Sequence, residues 1–253
     1  MSADSILFEE DAEISVLTLN RPAAYNALRY ADLETLSAAI ATLEARPPRV
    51  VILTAAEPGF CSGVDLKEGR EATSDFARTR STFMQWVLGR LRMLPCPVIA
   101  ALDGVAIGLG CELAISADLR IASPGSRFRY PEPRVAVPSP TFYLAQLIGF
   151  ARTQDMLLTA RWIEAAEAHQ WGLVTSLDDD PLGAARARAG ELLQMSPFAL
   201  AKTKENLVVA MNADQTTAIR HHIDHVAAAA GTPDRQEALT AFAERREPDF
   251  GRT

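Results

Sequence analysis

Basic clusters, cysteines, histidines and long apolar runs are all scarce in this chain. Lysine and arginine total 25 against 32 acidic residues, a formal net charge of −7. No Lys/Arg-rich stripe with interleaved aromatics occurs, so no nucleic-acid partner is expected. A small anionic ligand stays open, because a few local basic groups suffice to hold one. The three cysteines, Cys61, Cys96 and Cys111, form no CxxC pair. An odd, scattered set excludes a disulfide framework and reads as reduced thiols in a cytoplasmic protein. Met1 to Glu10 carries no basic segment leading into an apolar core, so no signal peptide is expected. The most apolar stretch, Pro97 to Ala117, is interrupted by Asp103, three glycines and Glu112, and is unsuited to a membrane span. His221, His222 and His225 include an i, i+4 pair on an expected helix. No Glu or Cys pattern accompanies them, so a solvated face is expected and no metal.

What is present fits a globular enzyme. The chain has 253 residues, 48% of them hydrophobic, enough for one large domain with a small appendage. Ile6 to Glu9 and Ile14 to Leu19 read as strands joined by a turn at Asp11-Ala12. Asn20-Arg21-Pro22 breaks the run. Leu33, Leu36, Ile40 and Leu43 give Ala31 to Ala45 a helical spacing, which Pro47-Pro48 ends. Val50 to Thr54 and Pro97 to Leu102 are continuous apolar runs, the pattern of strands buried on both faces. A long helix is expected over Asp75 to Met93, a short one over Cys111 to Ser116, and a strand over Leu119 to Ala122. From about Thr141 onward the pattern is helical almost throughout. Strands alternating with helices first and helices alone later predict an α/β core with a helical C-terminal region. The boundary falls near Ser196-Pro197, giving a core over 1–195 and a helical, oligomerising region over 196–253.

Three segments carry candidate chemistry. Phe60 to Lys67 turns through Gly63 from a strand toward a helix. Asp103 to Ala114 is a glycine-spaced loop opening into a helix, with Gly108 and Gly110 flanking Leu109. Phe128 to Glu132 ends in a loop carboxylate between Pro131 and Pro133. Each glycine loop can present a backbone N–H without a side chain in the way, and helix N-termini leave such groups unpaired. Two of them aimed at one point would form an oxyanion hole. Taken singly, each loop is better explained as an ordinary strand-to-helix connection. Glu112 alone reads as an acid favoured by a helix dipole, and Glu132 alone as a surface acid. Cys111 has no histidine near it in sequence and reads as a buried thiol.

Taken together, the segments resemble the crotonase (enoyl-CoA hydratase/isomerase) family. The likeness runs from Asn20-Arg21-Pro22 and Asn26-Ala27-Leu28, through both loops, to Ala241-Phe242 and Arg245-Arg246. Its most specific element is Glu112 and Glu132, twenty residues apart. The resemblance implies an α/β spiral of ββα units and an acyl-CoA substrate, with no cofactor beyond the coenzyme A that the substrate carries. It implies a homotrimer or a dimer of trimers, with Phe198, Leu200, Leu207, Val208, Ile219 and Ile223 supplying apolar surface. The N–H groups of Val64 and Leu109 match the family's oxyanion-hole pair. Glu112 matches the acid that handles water, and Glu132 the one that protonates C2. Val64, Asp65, Leu66 and Lys67 match the segment that contacts CoA. Ala24, Cys61 and Leu109 are further candidates for CoA contacts, and Arg245 matches a basic position near its phosphates.

Hydration of an enoyl-CoA is the activity so implied. Double-bond isomerisation, acyl-CoA hydrolysis and non-catalytic RNA binding are the alternatives; retention of both acids favours hydration, and the acidic balance opposes RNA. Two features depart from the family pattern. Leucine stands between Gly108 and Gly110, where its side chain needs room. Pro138-Ser139-Pro140 replaces a glycine-rich turn, and Pro140 has no N–H to donate. A stiff segment beside Glu132 is expected to redraw the acyl pocket and weaken activity toward crotonyl-CoA.

Overall fold

The structure, a computed structural model, describes residues 4–68, 73–140 and 142–251. Two antiparallel strands, β1 (Ile6–Glu9) and β2 (Ile14–Leu19), open the chain, with Ile6 paired to Leu19. Helix α1 (Tyr30–Ala45) crosses over to β3 (Val50–Ala55), which lies parallel to β2. Helix α2 (Ser74–Arg92) leads in the same way to β4 (Val98–Leu102), parallel to β3. A short strand, β5 (Val105–Ile107), precedes helix α3 (Leu109–Ser116). The chain then forms β6 (Leu119–Ala122) and β7 (Arg127–Arg129), and a 3-10 turn over Glu132–Val135. Helices α4 (Phe142–Ile148) and α5 (Phe150–Thr159) follow. The two-residue strands β8 (Ile163–Glu164) and β9 (Ser176–Leu177) flank α6 (Ala165–Trp171). Helices α7 (Pro181–Leu192), α8 (Pro197–Asn212), α9 (Gln215–Ala229) and α10 (Pro233–Glu244) complete the chain.

Among the described residues the strands make two sheets, β1-β2-β3-β4-β6-β9 and β5-β7-β8. The larger is parallel from β2 onward. Its central strands are buried on both faces, as their continuous apolar runs require. The period of two sorts their side chains. Val51, Leu53, Val98, Ala100 and Leu102 face α1 and α2, where Leu36, Ile40, Val87 and Leu91 pack. Val50, Ile52, Ile99 and Ala101 face the other way, onto Ala185 and Ala189 of α7. Alanines on α7 let that helix lie close against the strands. The fold is thus the α/β spiral with a helical C-terminal region that the sequence predicts.

Several boundaries differ from the sequence reading. The segment Gly104 to Gly110 is not all loop, because β5 forms inside it and pairs with β7. That pairing is long-range, and three residues carry no periodic signal of their own. Helix α3 begins at Leu109, two residues earlier than its apolar run. The loop that carries Glu132 continues from that residue as a 3-10 turn. Thr141, where the helical region was expected to start, lies outside the described residues.

Four of the later helices start on a side-chain cap. Asp180, Ser196, Asp214 and Thr232 accept from the N–H groups of Gly183, Ala199, Thr217 and Arg235. In three of them proline follows the cap, where its missing N–H costs nothing. Helices α8 and α9 pack on each other, yet no side chain of either is buried.

The tight contact between α7 and the sheet gives a direct test. Ala185→Leu forces a large side chain into a fully buried position, and such overpacking typically costs ~1–3 kcal/mol. The urea midpoint is expected to fall accordingly; an unchanged midpoint would show that α7 can move away freely.

Candidate active site

The first loop is held from behind. Tyr25 and Asn26 adopt left-handed backbone after the 3-10 turn Pro22–Ala24, with φ of 49° and 55°. The buried Asn26 side chain accepts from Arg21 N–H at 2.8 Å and donates to the carbonyls of Ala56 and Gly59 at 2.6 and 2.7 Å. The Arg21 guanidinium donates to Ala27 O and pairs with Asp32 and Asp65. These bonds bring Leu28 beside the loop. Leu28 N–H then donates to Gly63 O at 2.8 Å, and Asp65 N–H donates to Leu28 O at 2.9 Å. On the opposite side Cys61 N–H donates to Val105 O, and Ile107 N–H to Cys61 O, each at 2.9 Å. The segment is therefore a strand fragment stitched between Leu28 and β5. Peptide directions alternate along a strand, so Gly63 O and Asp65 N–H facing Leu28 turn Val64 N–H away from it.

The second loop meets the first there. Gly63 has φ of 95°, and a Cβ added to it would lie 2.7 Å from Ile107 O and 3.5 Å from Leu109 N. Only glycine takes that backbone without strain and leaves room for the neighbouring chain. Gly108, at φ 52° and ψ −113°, bends the chain so that α3 begins at Leu109. Leu109 N–H is one of the helix's unpaired first donors. Among the described residues, neither Val64 N–H nor Leu109 N–H has a protein acceptor. The Leu109 side chain is 4% exposed and packs in the core, which provides the room that leucine needs.

Two carboxylates face the same place. Glu112, in the first turn of α3, is 5% exposed, and the buried Tyr130 O–H donates to its Oε1 at 2.6 Å. Burial pushes its carboxyl up to about 7; the Tyr130 hydrogen bond and Arg92 oppose the rise, and Glu132 adds to it. Glu132 is half-buried, and burial raises its carboxyl too. Its Oε1 rests against Gly108, where an added Cβ would sit only 2.6 Å away. Ser139 lies close enough to favour the ionised form, but the two do not meet hydrogen-bond geometry: Glu132 Oε2 and Ser139 Oγ are both buried without a partner. A small polar molecule would satisfy both.

Val64, Leu109, Glu112 and Glu132 line one cavity of about 580 Å³. Helix α2 covers it with Ala77, Arg80 and Met84, and Pro138, Ser139 and Pro140 close the far side. Ser62, Gly63 and Leu66 line an adjoining mouth. Two free N–H donors beside a pair of acids with raised pKa can stabilise a developing oxyanion while moving protons near neutral pH.

The other sequence candidates are placed variously. Asp65 pairs with Arg21 and accepts from Lys67 N–H, so it braces the loop. Leu66 and Lys67 are exposed beside the mouth. Ala24 is half-buried, and its carbonyl accepts from Ser62 Oγ at 3.2 Å. Cys61 is fully buried with its thiol on Asn26 O, and burial pushes that thiol up to about 12. Arg245 is exposed at the end of α10 and does not line the cavity. Cys111 is buried beneath the loops and also held protonated. The histidines do gain an acid that spacing could not show: Glu205 of α8 lies beside His221 and His225. Lys202 Nζ already bonds both of its oxygens, and Asn206 Oδ1 meets both histidine Nδ1 atoms, so the cluster is a closed polar network.

Sequence reading missed Tyr130 as the partner of Glu112, although it stands two residues before Glu132. It also missed Arg80. The inner face of α2 runs Phe76, Ala77, Arg80, Met84, Val87, Leu88 and Leu91 at helical spacing, and an arginine in that row was a signal.

Residues 9–253 match the model of the enoyl-CoA hydratase/isomerase family. A Mycobacterium bovis protein named "Probable enoyl-CoA hydratase echA8" is 35% identical over 256 residues, 99% of each chain. A short-chain-enoyl-CoA hydratase of Clostridium acetobutylicum is 32% identical, with 97% of each chain covered. A crystal structure of an enoyl-CoA hydratase from Bacillus anthracis superposes with a TM-score of 0.93 at 30% identity, covering 98% of this chain and 100% of that one. Fold, site and sequence define an enzyme class built to act on thioesters. The chain belongs to the enoyl-CoA hydratase/isomerase family.

The Tyr130–Glu112 bond has a measurable consequence. Tyr130 donates to the ionised carboxylate, so Tyr130→Phe is expected to raise the Glu112 pKa above about 7. Carbon-13 NMR titration of labelled glutamate carboxyls would read this. An unmoved titration would mean that the hydrogen bond does not tune the acid.

Proposed function

We propose that this protein is an enoyl-CoA hydratase, adding water across the C2–C3 double bond of an enoyl-CoA. The observation that carries the reading is the meeting of two unpaired backbone N–H groups with one buried and one half-buried carboxyl in one cavity. Val64 N–H and Leu109 N–H donate to the thioester oxygen and hold the negative charge it gains when C3 is attacked. Water sits between the acids, where Glu132 Oε2 and Ser139 Oγ need a partner. Ionised Glu112 takes a proton from that water as its oxygen bonds to C3. Protonated Glu132 gives a proton to C2 as the enolate collapses. Burial raises both carboxyls, Glu112 to about 7, which suits each to taking up and releasing a proton; the division of roles between them follows the family resemblance. Ser139 offers a hydroxyl beside Pro140, which has no N–H. An isomerase can work with one carboxylate as a shuttle, and the second acid here favours hydration.

No cofactor enters the scheme beyond the CoA of the substrate. Val64 to Lys67, with Ala24, are proposed to flank CoA, and Cys61 is too deeply buried to join them. Lys67 and Arg245 are the proposed phosphate contacts. A cytoplasmic location fits three buried, unpaired thiols. Among the described residues no helix is long and apolar enough to cross a membrane. Assembly as a trimer, or a dimer of trimers, is supported by α8 and α9. Leu207, Ile219 and Ile223 are 62%, 50% and 57% exposed on helices that hold no fully buried residue in the lone chain.

Two experiments test the proposal. Glu132→Gln keeps the shape and removes the acid, and is expected to cut turnover of the best enoyl-CoA by ~10²–10⁴. Loss of conjugated-thioester absorbance reports the rate; near-normal turnover in the folded variant would refute the role. Light scattering at micromolar concentration is expected to give the mass of three or six chains, and a monomer would contradict the assembly.

A further inference from the structure

Arg80 lies where the pattern of α2 calls for an apolar residue. It occupies the helix's inner row, one turn before Met84, and lines both the cavity and its mouth. The residue is half-buried, and its Nη1 is shut off from solvent with no hydrogen-bond partner. Every other buried or half-buried arginine among the described residues bonds through its guanidinium. Arg21 and Arg90 pair with acids, and Arg49, Arg92, Arg120 and Arg129 donate to carbonyls. Arg161 pairs with two acids. Among the described residues Arg80 meets only the ring of Phe76, 5.8 Å away. A cation removed from water without an acceptor is costly, and a planar guanidinium is built to bind an oxyanion with two oxygens.

We propose that Arg80 binds a carboxylate at the far end of the acyl chain, so that the preferred substrate is a short 2-enoyl-CoA bearing an ω-carboxylate. The inference rests on the hydratase reading for its reaction, though not for its binding. Three observations place the anion at the acyl end. Arg80 shares the cavity with Val64 and Leu109, the proposed seat of the thioester, and with Glu112 and Glu132. Pro138, Ser139 and Pro140 wall the same cavity and give it a fixed, mostly apolar side that supplies no other cation. Among the described residues the only other arginine on its lining, Arg78, is exposed. The same guanidinium could instead meet a CoA phosphate through the mouth that Leu66 lines. Both sources present an oxyanion, and matched substrates separate them because every acyl-CoA carries the same phosphates.

The test compares glutaconyl-CoA with 2-pentenoyl-CoA, which have the same chain length and differ in the terminal carboxylate. Wild-type kcat/KM is expected to favour glutaconyl-CoA, and Arg80→Gln to lower that preference about ten- to hundredfold, the worth of one charge-assisted hydrogen-bonded contact. Arg80→Lys should restore part of it. Calorimetric binding of glutaryl-CoA against pentanoyl-CoA, which cannot be hydrated, should show the same preference and the same loss. Equal weakening of both partners of a pair would assign Arg80 to the CoA phosphates and overturn the proposal, as would a wild type without preference. If binding follows the carboxylate but neither enoyl-CoA is hydrated, the carboxylate site stands and the hydratase reading falls.

Discussion

The site depends on two stretches of main chain that run edge to edge with almost nothing between them. Cys61 is hydrogen-bonded to both ends of β5, and Gly63 abuts Ile107 and Leu109. That contact sets the spacing of Val64 and Leu109, and through Gly108 it also sets where Glu132 can rest. Most of the surrounding structure serves it. The parallel sheet and α1 fix the start of the first loop, Arg21 and Asn26 clamp it from behind, and the pairing of β5 with β7 carries Glu132 to the second. A donor built from backbone is stiffer than any side chain, and it has no proton to lose at working pH.

The electrostatics oppose the packing. Two acids and an unpartnered guanidinium share a pocket walled by leucine, valine and proline. Burial raises both acids from their ordinary values, Glu112 to about 7. Such groups are poor for stability and useful for chemistry, the usual conflict at an active site. Tyr130 and Arg92 limit the rise at Glu112. At Glu132 the satisfaction is incomplete among the described residues, and the proposed hydration would place its water there.

Much of this was legible in the sequence, for identifiable reasons. Val50 to Ala55 and Val98 to Leu102 are apolar without interruption, which only a strand covered on both sides tolerates. The inner row of α1 repeats at helical spacing. Gly63, Gly108 and the acids twenty residues apart mark the loops by order and distance. What was not legible depends on contacts distant along the chain. Strand β5 exists because β7 and Cys61 lie beside it. Tyr130 reaches Glu112 across eighteen residues. Glu205 meets His221 and His225 only because α8 packs on α9. Cys61 was a candidate CoA contact by resemblance, while its side chain turns inward to Asn26. Arg80 was visible as an arginine within an apolar row, but its meaning needed the cavity.

The most direct measurement is a crystal structure with a saturated acyl-CoA bound, since this ligand offers the thioester carbonyl without reacting. The account expects the thioester oxygen ~2.7–3.1 Å from both Val64 N and Leu109 N, the distance at which donors can serve an oxyanion. The acyl C2 and C3 should then lie between Glu112 and Glu132. A thioester oxygen turned to solvent, or held by other groups while Val64 N–H and Leu109 N–H stay unengaged, would contradict it.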